Sequence, residues 1–371
     1  MLTVASAACT AATRGELPRG PLTADLTPRL RVDRGIPSDL SRVPGTARDI
    51  ERLGYDGCWT GEIDHDPFLP VLLAAEHTSR LEIGTSIAVA FARNPMTVAN
   101  LGWDLQAYSA GRLNLGLGSQ IQAHVEKRFS MPWSHPVRRM REFVEALRAI
   151  WTCWQDGTRL SFRGDFYTHT LMTPMFSPAP MPFRQPRIFV AAVGEAMTEM
   201  CGEVADGLLA HAFTTKRYTD EITTPALLRG LSRAGRERRD VQVSCPVFVV
   251  TGDTEEAMAE AAVPVRKQIA FYGSTPAYRR VLELHGWGDV HTELHRLSKL
   301  GQWDAMGDLI DDDVLGAFAV VAPLSDVADA LRVRCDGAID RVLPALPATL
   351  SDEVVESVLN QLRTTDEGSP R

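Results

Sequence analysis

Eight short β-like runs alternate with amphipathic stretches along this chain, and that alternation restricts the fold more than any other feature. The runs fall at residues 30–33, 57–60, 81–90, 112–117, 187–193, 207–210, 241–250 and 316–321. Run 81–90 is almost continuously apolar, as a strand buried on both faces requires. Helical patterns occupy 44–53, 69–77, 94–109, 136–154, 195–204, 218–234, 254–313 and 325–333. Pro44 suits a first helical turn, and Gly54 stops that helix just past its end. Strand–helix units in series predict a parallel sheet. Right-handed crossovers leave an open doubly wound sheet or a closed ring, and a count of eight favours an α/β (β/α)8 TIM barrel. Residues 159–170 read as a hairpin, and 254–313 exceed what one crossover needs, so insertions follow strands 4 and 7. Residues 1–27 read as a disordered N-terminal extension, 28–345 as the barrel, and 346–371 as a C-terminal helix and tail.

Composition narrows the function. Of 371 residues, 44% are apolar and 23% charged, with a net charge of −8. An acidic chain without a concentrated basic face is a poor fit to nucleic acid. No apolar run is long enough to span a bilayer, and the start lacks the basic leader of a signal peptide. Six cysteines, at 9, 58, 153, 201, 245 and 335, form no CxxC pair. They read as free thiols in a reducing cytoplasm.

In a barrel of this kind the chemistry sits at the carboxyl ends of the strands, which singles out four segments. The first, Glu62-Ile63-Asp64-His65-Asp66-Pro67, packs three carboxylates and an imidazole just past strand two. His65 can orient or protonate a ligand near neutral pH, whereas Asp66 reads as a cap for the helix that follows. The second is Ser86, Ile87, Ala88 and Val89, where small residues let a flat cofactor lie against the backbone, unless they simply pack as core. The third is Gly116-Leu117-Gly118-Ser119-Gln120, with Gln120, Gln122 and His124 as polar handles. Ile121 stands where a dinucleotide fingerprint needs its last glycine, and no P-loop occurs. The fourth is Ala191-Ala192-Val193-Gly194-Glu195, which is either a plain tight turn or a helix start offering N–H groups to phosphate. His291 and His295 share a helix face, but Glu293 between them points away, so the HExxH zinc order is absent and no metal site is assigned. The basic run 233–239 reads as a solvated helix end.

At these same segments the sequence resembles the luciferase-like monooxygenase superfamily, in its coenzyme F420-dependent oxidoreductase branch. The resemblance spans residues 30–342. It is carried by Leu53-Gly54-Tyr55-Asp56-Gly57-Cys58-Trp59, the stretches 62–69 and 85–95, Gly111-Arg112-Leu113-Asn114-Leu115-Gly116-Leu117-Gly118, and Val204-Ala205-Asp206-Gly207. It implies a (β/α)8 barrel with F420 or FMN at its mouth and a homodimeric assembly. It further implies His65, or else Glu62, as the acid/base group. Ser86-Ile87 would form a non-prolyl cis bond, with Ala88 and Val89 beside it supporting the ring. His124 would stand at a ring-edge polar position, near the candidate contacts Gly118 and Gln120. Gly194 would be the phosphate-loop glycine, with Val193 where the family often has a second glycine and the candidates Ala192 and Glu195 on either side. The insert around 269–287, with Tyr272, Ser274 and Tyr278, would cover the pocket and select the substrate. The leading expectation is hydride transfer between reduced F420 and a small organic substrate, since a deazaflavin does not readily form an oxygen adduct. The alternatives are an FMN-dependent monooxygenase served by a separate reductase, and a non-catalytic flavin-binding barrel.

Overall fold

A computed structural model describes residues 29–363. The N-terminal extension expected over 1–27 and the last eight residues of the tail lie outside the described residues. Eight parallel strands close on themselves. In chain order they are β1 (Arg31–Gly35), β2 (Gly57–Thr60), β3 (Glu82–Thr85), β4 (Leu113–Gly118), β5 (Arg187–Ala191), β6 (Gly207–Leu209), β7 (Gln242–Val250) and β8 (Arg341–Ala345). Each pairs with the next, and β8 returns to β1 with Arg31 opposite Arg341 and Val32 opposite Val342. The closed eight-stranded parallel ring is the expected TIM barrel.

Helices cover the outside. They are α1 (Val43–Arg52), α2 (Phe68–His77), α3 (Pro95–Tyr108), α4 (Pro136–Asp156), α5 (Glu195–Val204), α6 (Thr224–Arg233), α7 (Val327–Cys335) and α8 (Asp352–Arg363). Strand side chains alternate between faces. Val32, Cys58, Ile83, Leu115 and Ile188 therefore point outward and are buried in one core with helix residues such as Ile50, Val71, Phe143 and Leu359. No helix among the described residues is long and apolar enough to cross a membrane. All five described cysteines are buried free thiols.

Both expected insertions are present. After β4 come a long loop, α4 and a small antiparallel hairpin, Phe162–Arg163 with Thr168–His169. After β7 come five helices between Glu255 and Phe318. They form a second core with Phe213, Phe248 and Val250, which lie beyond or at the carboxyl ends of β6 and β7. His291 and His295 belong here. Their Nδ1 atoms pair with the carbonyls of Gly273 at 2.7 Å and Ser274 at 2.9 Å, satisfying the end of helix Glu255–Gly273.

One expected strand is corrected. Residues 316–321 are not the eighth barrel strand, nor is the helix after them the last. Helix Asp312–Phe318 takes the first half of that run. Among the described residues, Ala319–Val321 pairs only with Phe248–Val250, at the far end of the long β7. The strand that closes the ring is β8, preceded by α7 and followed by α8. Among the described residues it alone pairs with both β7 and β1.

Closure is reinforced inside the base of the barrel. Arg341 is fully buried and meets Asp33 through two bonds of 2.7 Å. Its remaining Nη1 bonds Glu82 at 2.6 Å. Arg31 and Arg187 also reach Glu82, at 2.6 and 2.7 Å, and Asn114 donates to it at 3.0 Å. Trp59 Nε1 donates to Asp33 at 2.8 Å. Burial opposes charge on Glu82, but the guanidinium groups of Arg341, Arg187 and Arg31 outweigh it and hold the carboxyl well below its ordinary range.

Two outcomes follow. Removing one member of a buried pair leaves the other charge uncompensated. Arg341→Met should therefore lower the unfolding free energy in urea by about 3–5 kcal/mol, and wild-type stability would contradict the role given to the network. Because folding lowers the Glu82 pKa, its contribution is fully present above the ordinary value of 4.5 and is lost as pH falls from there toward the folded pKa. The acid limb of the stability curve should be shallower in Glu82→Gln than in the wild type, and identical slopes would refute the assignment.

Candidate active site

The barrel interior changes character from base to mouth. Above the ionic layer, Trp59 and Phe189 meet edge to face at 5.4 Å, and Leu209 completes a buried plug. Neighbouring strands make room for these rings with glycine, Gly84 beside Trp59 and Gly207 beside Phe189. A Cβ on Gly84 would stand 2.6 Å from the Trp59 ring, and one on Gly207 would stand 2.1 Å from Phe189. Ile87, Ala191 and Leu343 pack on top of the plug and remain half exposed, so they form the floor of the mouth. Around that floor the chain carries little bulk: Gly35, Gly61, Gly118 and Ala345 stand at strand ends. The barrel interior is thus packed at the plug and only partly covered above it.

The segment after β3 shapes one side of this mouth. The Ser86–Ile87 peptide is cis. The chain then resumes pairing with β4, Ala88 opposite Leu117 and Val89 opposite Gly118. Ile87 leans across Gly118, where an added Cβ would lie 2.8 Å from Ile87 Cγ1. Glu62 locks the next loop onto this segment. Its backbone N–H donates to the Ile87 carbonyl at 3.0 Å, and its Oε2 accepts from Val89 N–H at 2.7 Å. The same oxygen pairs with Arg93 at 2.5 Å, and the Glu62 side chain is only 7% exposed. Arg93 also bonds Asp66 at 2.8 Å, and Asp66 accepts from Phe68 N–H at 2.9 Å in a turn just before α2. The N-cap of α2 is Pro67, not Asp66 as expected, because the proline takes the last position before the helix. His65 stands apart on the rim. Its side chain is 61% exposed, with Asp64 3.5 Å away.

Beyond β4, Gln120 has a left-handed backbone with φ 60° and turns its Oε1 back to Ile121 N–H at 3.0 Å. His124 is exposed on the short helix Gln122–Lys127, and Arg128 just after that helix donates to the Ile63 carbonyl. Beyond β5, Ala192 N–H donates to the Leu209 carbonyl at 3.3 Å, Val193 is half exposed, and Gly194 is the N-cap of α5. With no side chain on the cap, the first N–H groups of α5 receive no side-chain cap bond among the described residues. A Cβ on Gly194 would meet nothing within 4 Å, and its φ of −94° suits any residue. Glu195 is turned aside by Arg229 at 2.9 Å.

The structure therefore brings Glu62, the 86–89 segment and Gly118 into direct contact. The 192–195 turn lies one strand further round, since β4 pairs with β5 through Leu117 and Val190. His65 and His124 remain on the outer rim. Sequence reasoning missed Arg93, which binds Glu62 from the following loop, and His211, two residues past β6. The strand-end rule that selected the other segments would have found His211, but it stands in no recognisable motif.

Comparisons with known proteins accord with this geometry. The luciferase-like monooxygenase family model matches residues 24–341. An uncharacterized protein of Mycobacterium tuberculosis is 65% identical, over 90% of this chain and 98% of its own. The 5,10-methylenetetrahydromethanopterin reductase of Methanolobus tindarius is 25% identical, over 84% of this chain and 92% of its own. Among solved structures, the coenzyme F420-dependent tetrahydromethanopterin reductase from Methanopyrus kandleri superposes with a TM-score of 0.73 at 18% identity, over 89% of this chain and 97% of that one. Further neighbours of the same fold are named both as F420-dependent enzymes and as monooxygenases. This chain belongs to the luciferase-like monooxygenase family.

Proposed function

We propose that the protein is an F420-dependent oxidoreductase that moves a hydride between the deazaflavin and a small organic substrate. The observation that carries this reading is the mouth itself. A backbone-rich wall at 86–89 and a floor of Ile87, Ala191 and Leu343 adjoin an uncapped helix start at Gly194. A flat ring would fit against such a wall, and the first N–H groups of α5 would donate hydrogen bonds to the phosphate of its tail. The residues fit that group, because Gly194 leaves open space where a side chain would stand and Glu195 is neutralised by Arg229. When bound, the deazaflavin supplies the hydride chemistry.

The chain's own groups do the rest. Ser86, Ile87, Ala88 and Val89 support the ring, and Gln120 and His124 border its edge. Ala192, Val193 and Gly194 fix the tail. Glu62 is committed as an acceptor to Val89 N–H and Arg93, so it braces the wall. The proton-handling role falls to His65, whose exposed ring stands on the rim beside Asp64.

Fluorescence titration of the purified protein with F420 and with FMN tests the cofactor. F420 should bind at least about tenfold more tightly, a difference of about 1.4 kcal/mol; the reverse order would replace this reading with an FMN-dependent monooxygenase. Gly194→Leu should weaken F420 binding by about tenfold or more while changing stability by less than about 0.5 kcal/mol. Unchanged affinity would remove the phosphate assignment. His65→Asn should keep F420 affinity but slow oxidation of reduced F420 by a panel of ketones about 10²-fold or more. Undiminished turnover would take His65 out of the reaction. Cofactor binding without turnover in the wild type would leave a flavin-binding barrel.

A further inference from the structure

His211 follows β6 at the barrel mouth, on the same side of the chain as Leu209, which points into the plug. Its ring is fixed on three sides. Tyr278 stacks on it at 4.6 Å with the planes 23° apart, and Tyr272 meets it edge-on at 4.6 Å. Phe213 N–H donates to its Nδ1 at 3.0 Å. Tyr272 ends helix Glu255–Gly273 and Tyr278 ends the turn Pro276–Tyr278, so the insertion after β7 holds the imidazole against the barrel.

These contacts decide the tautomer. Nδ1 accepts a backbone N–H, so in the neutral ring the hydrogen resides on Nε2. Burial among the rings pushes the pKa down to about 4, so the ring is neutral near pH 7. Nε2 has no hydrogen-bond partner among the described residues, and it is not among their sealed, unpaired side-chain atoms. A core histidine ordinarily satisfies both nitrogens. This one presents a fixed N–H donor, and a neutral one, to accessible space.

We propose that His211 Nε2–H is the donor that binds the substrate's oxygen, in a pocket walled by Tyr272 and Tyr278. This deepens the oxidoreductase reading and rests on it for the identity of the reaction. The chemistry names the substrate class. A neutral donor among aromatic rings matches an uncharged carbonyl or hydroxyl oxygen on a flat apolar body. An anionic group would call for a cation, which burial of the imidazole opposes. Burial raises the Tyr278 pKa to about 12, so it also stays neutral and adds no charge to the pocket.

The test uses the full-length protein and two probes of the same shape, acetophenone and α-methylstyrene, which exchange C=O for C=CH2. Ligand-observed NMR should show the wild type preferring acetophenone by about fivefold to tenfold, the worth of one neutral hydrogen bond. His211→Phe should abolish the preference without weakening α-methylstyrene, and His211→Gln, which keeps an N–H donor, should restore part of it. Imidazole ¹⁵N shifts at neutral pH should show hydrogen on Nε2 and none on Nδ1. Equal wild-type affinities, a preference that survives in His211→Phe, or a protonated Nδ1 would each overturn the proposal. An F420 titration run beside these measurements separates the two claims. Failure of the wild type to bind F420 removes the deazaflavin reading while the probe preference stands. Retained F420 binding with an unaltered preference in His211→Phe removes this proposal alone.

Discussion

The contact between Arg341 and Asp33 ties the last strand of the barrel to the first. Parallel rings have no hairpin to close them, so the two ends of the chain must find each other through strand pairing and side chains alone. Here the closing strand carries a guanidinium into the barrel base, where Asp33 and Glu82 compensate it and Trp59 caps Asp33 from above. Arg31 and Arg187 extend the same network to Glu82. A charge of this kind is costly to bury unless every partner is in place. The network therefore selects one strand as the eighth: Ala319–Val321 is apolar enough but offers no such group.

That base sets the level of everything above it. With ionic groups below and the Trp59–Phe189–Leu209 plug in the middle, the bulky side chains are spent before the mouth is reached. The strand ends are left with glycine, alanine and backbone. Loops with little packing of their own are then held by charge-assisted bonds. Glu62 and Arg93 join the β2 loop to the segment after β3, and Arg128 joins it to the segment after β4. The mouth is a rim of loops bonded to one another around the floor of Ile87, Ala191 and Leu343. The insertion after β7 then supplies the aromatic wall that the barrel lacks.

Much of this was legible in the sequence, for physical reasons. Six strands announce themselves as largely apolar runs between helical stretches, because both their faces are mostly buried, whereas Arg31–Gly35 is marked mainly by its place before the first helix. The eighth does not. Arg341 and Pro344 break its apolar pattern, and the residues that make Arg341 acceptable lie at 33 and 82, far along the chain. The site loops were legible as strand ends, but side-chain direction was not. Glu62 and His65 look alike as candidates in the sequence, yet Arg93, 31 residues after Glu62, draws that carboxylate into the wall. His211 was overlooked because its partners Tyr272 and Tyr278 come from an insertion whose docking no local pattern encodes. The cis bond at Ser86–Ile87 was accessible only through resemblance, since nothing in the residues themselves requires it.

The central claim is that a deazaflavin lies at this mouth with its ring on the 86–89 wall and its tail at the start of α5. Hydrogen–deuterium exchange with and without F420 tests it most directly. The account predicts slower exchange on F420 addition at the amides of 86–89 and 195–197, with the arginine-lined base unchanged. Protection confined to the base, or none at either segment of the mouth, would contradict it.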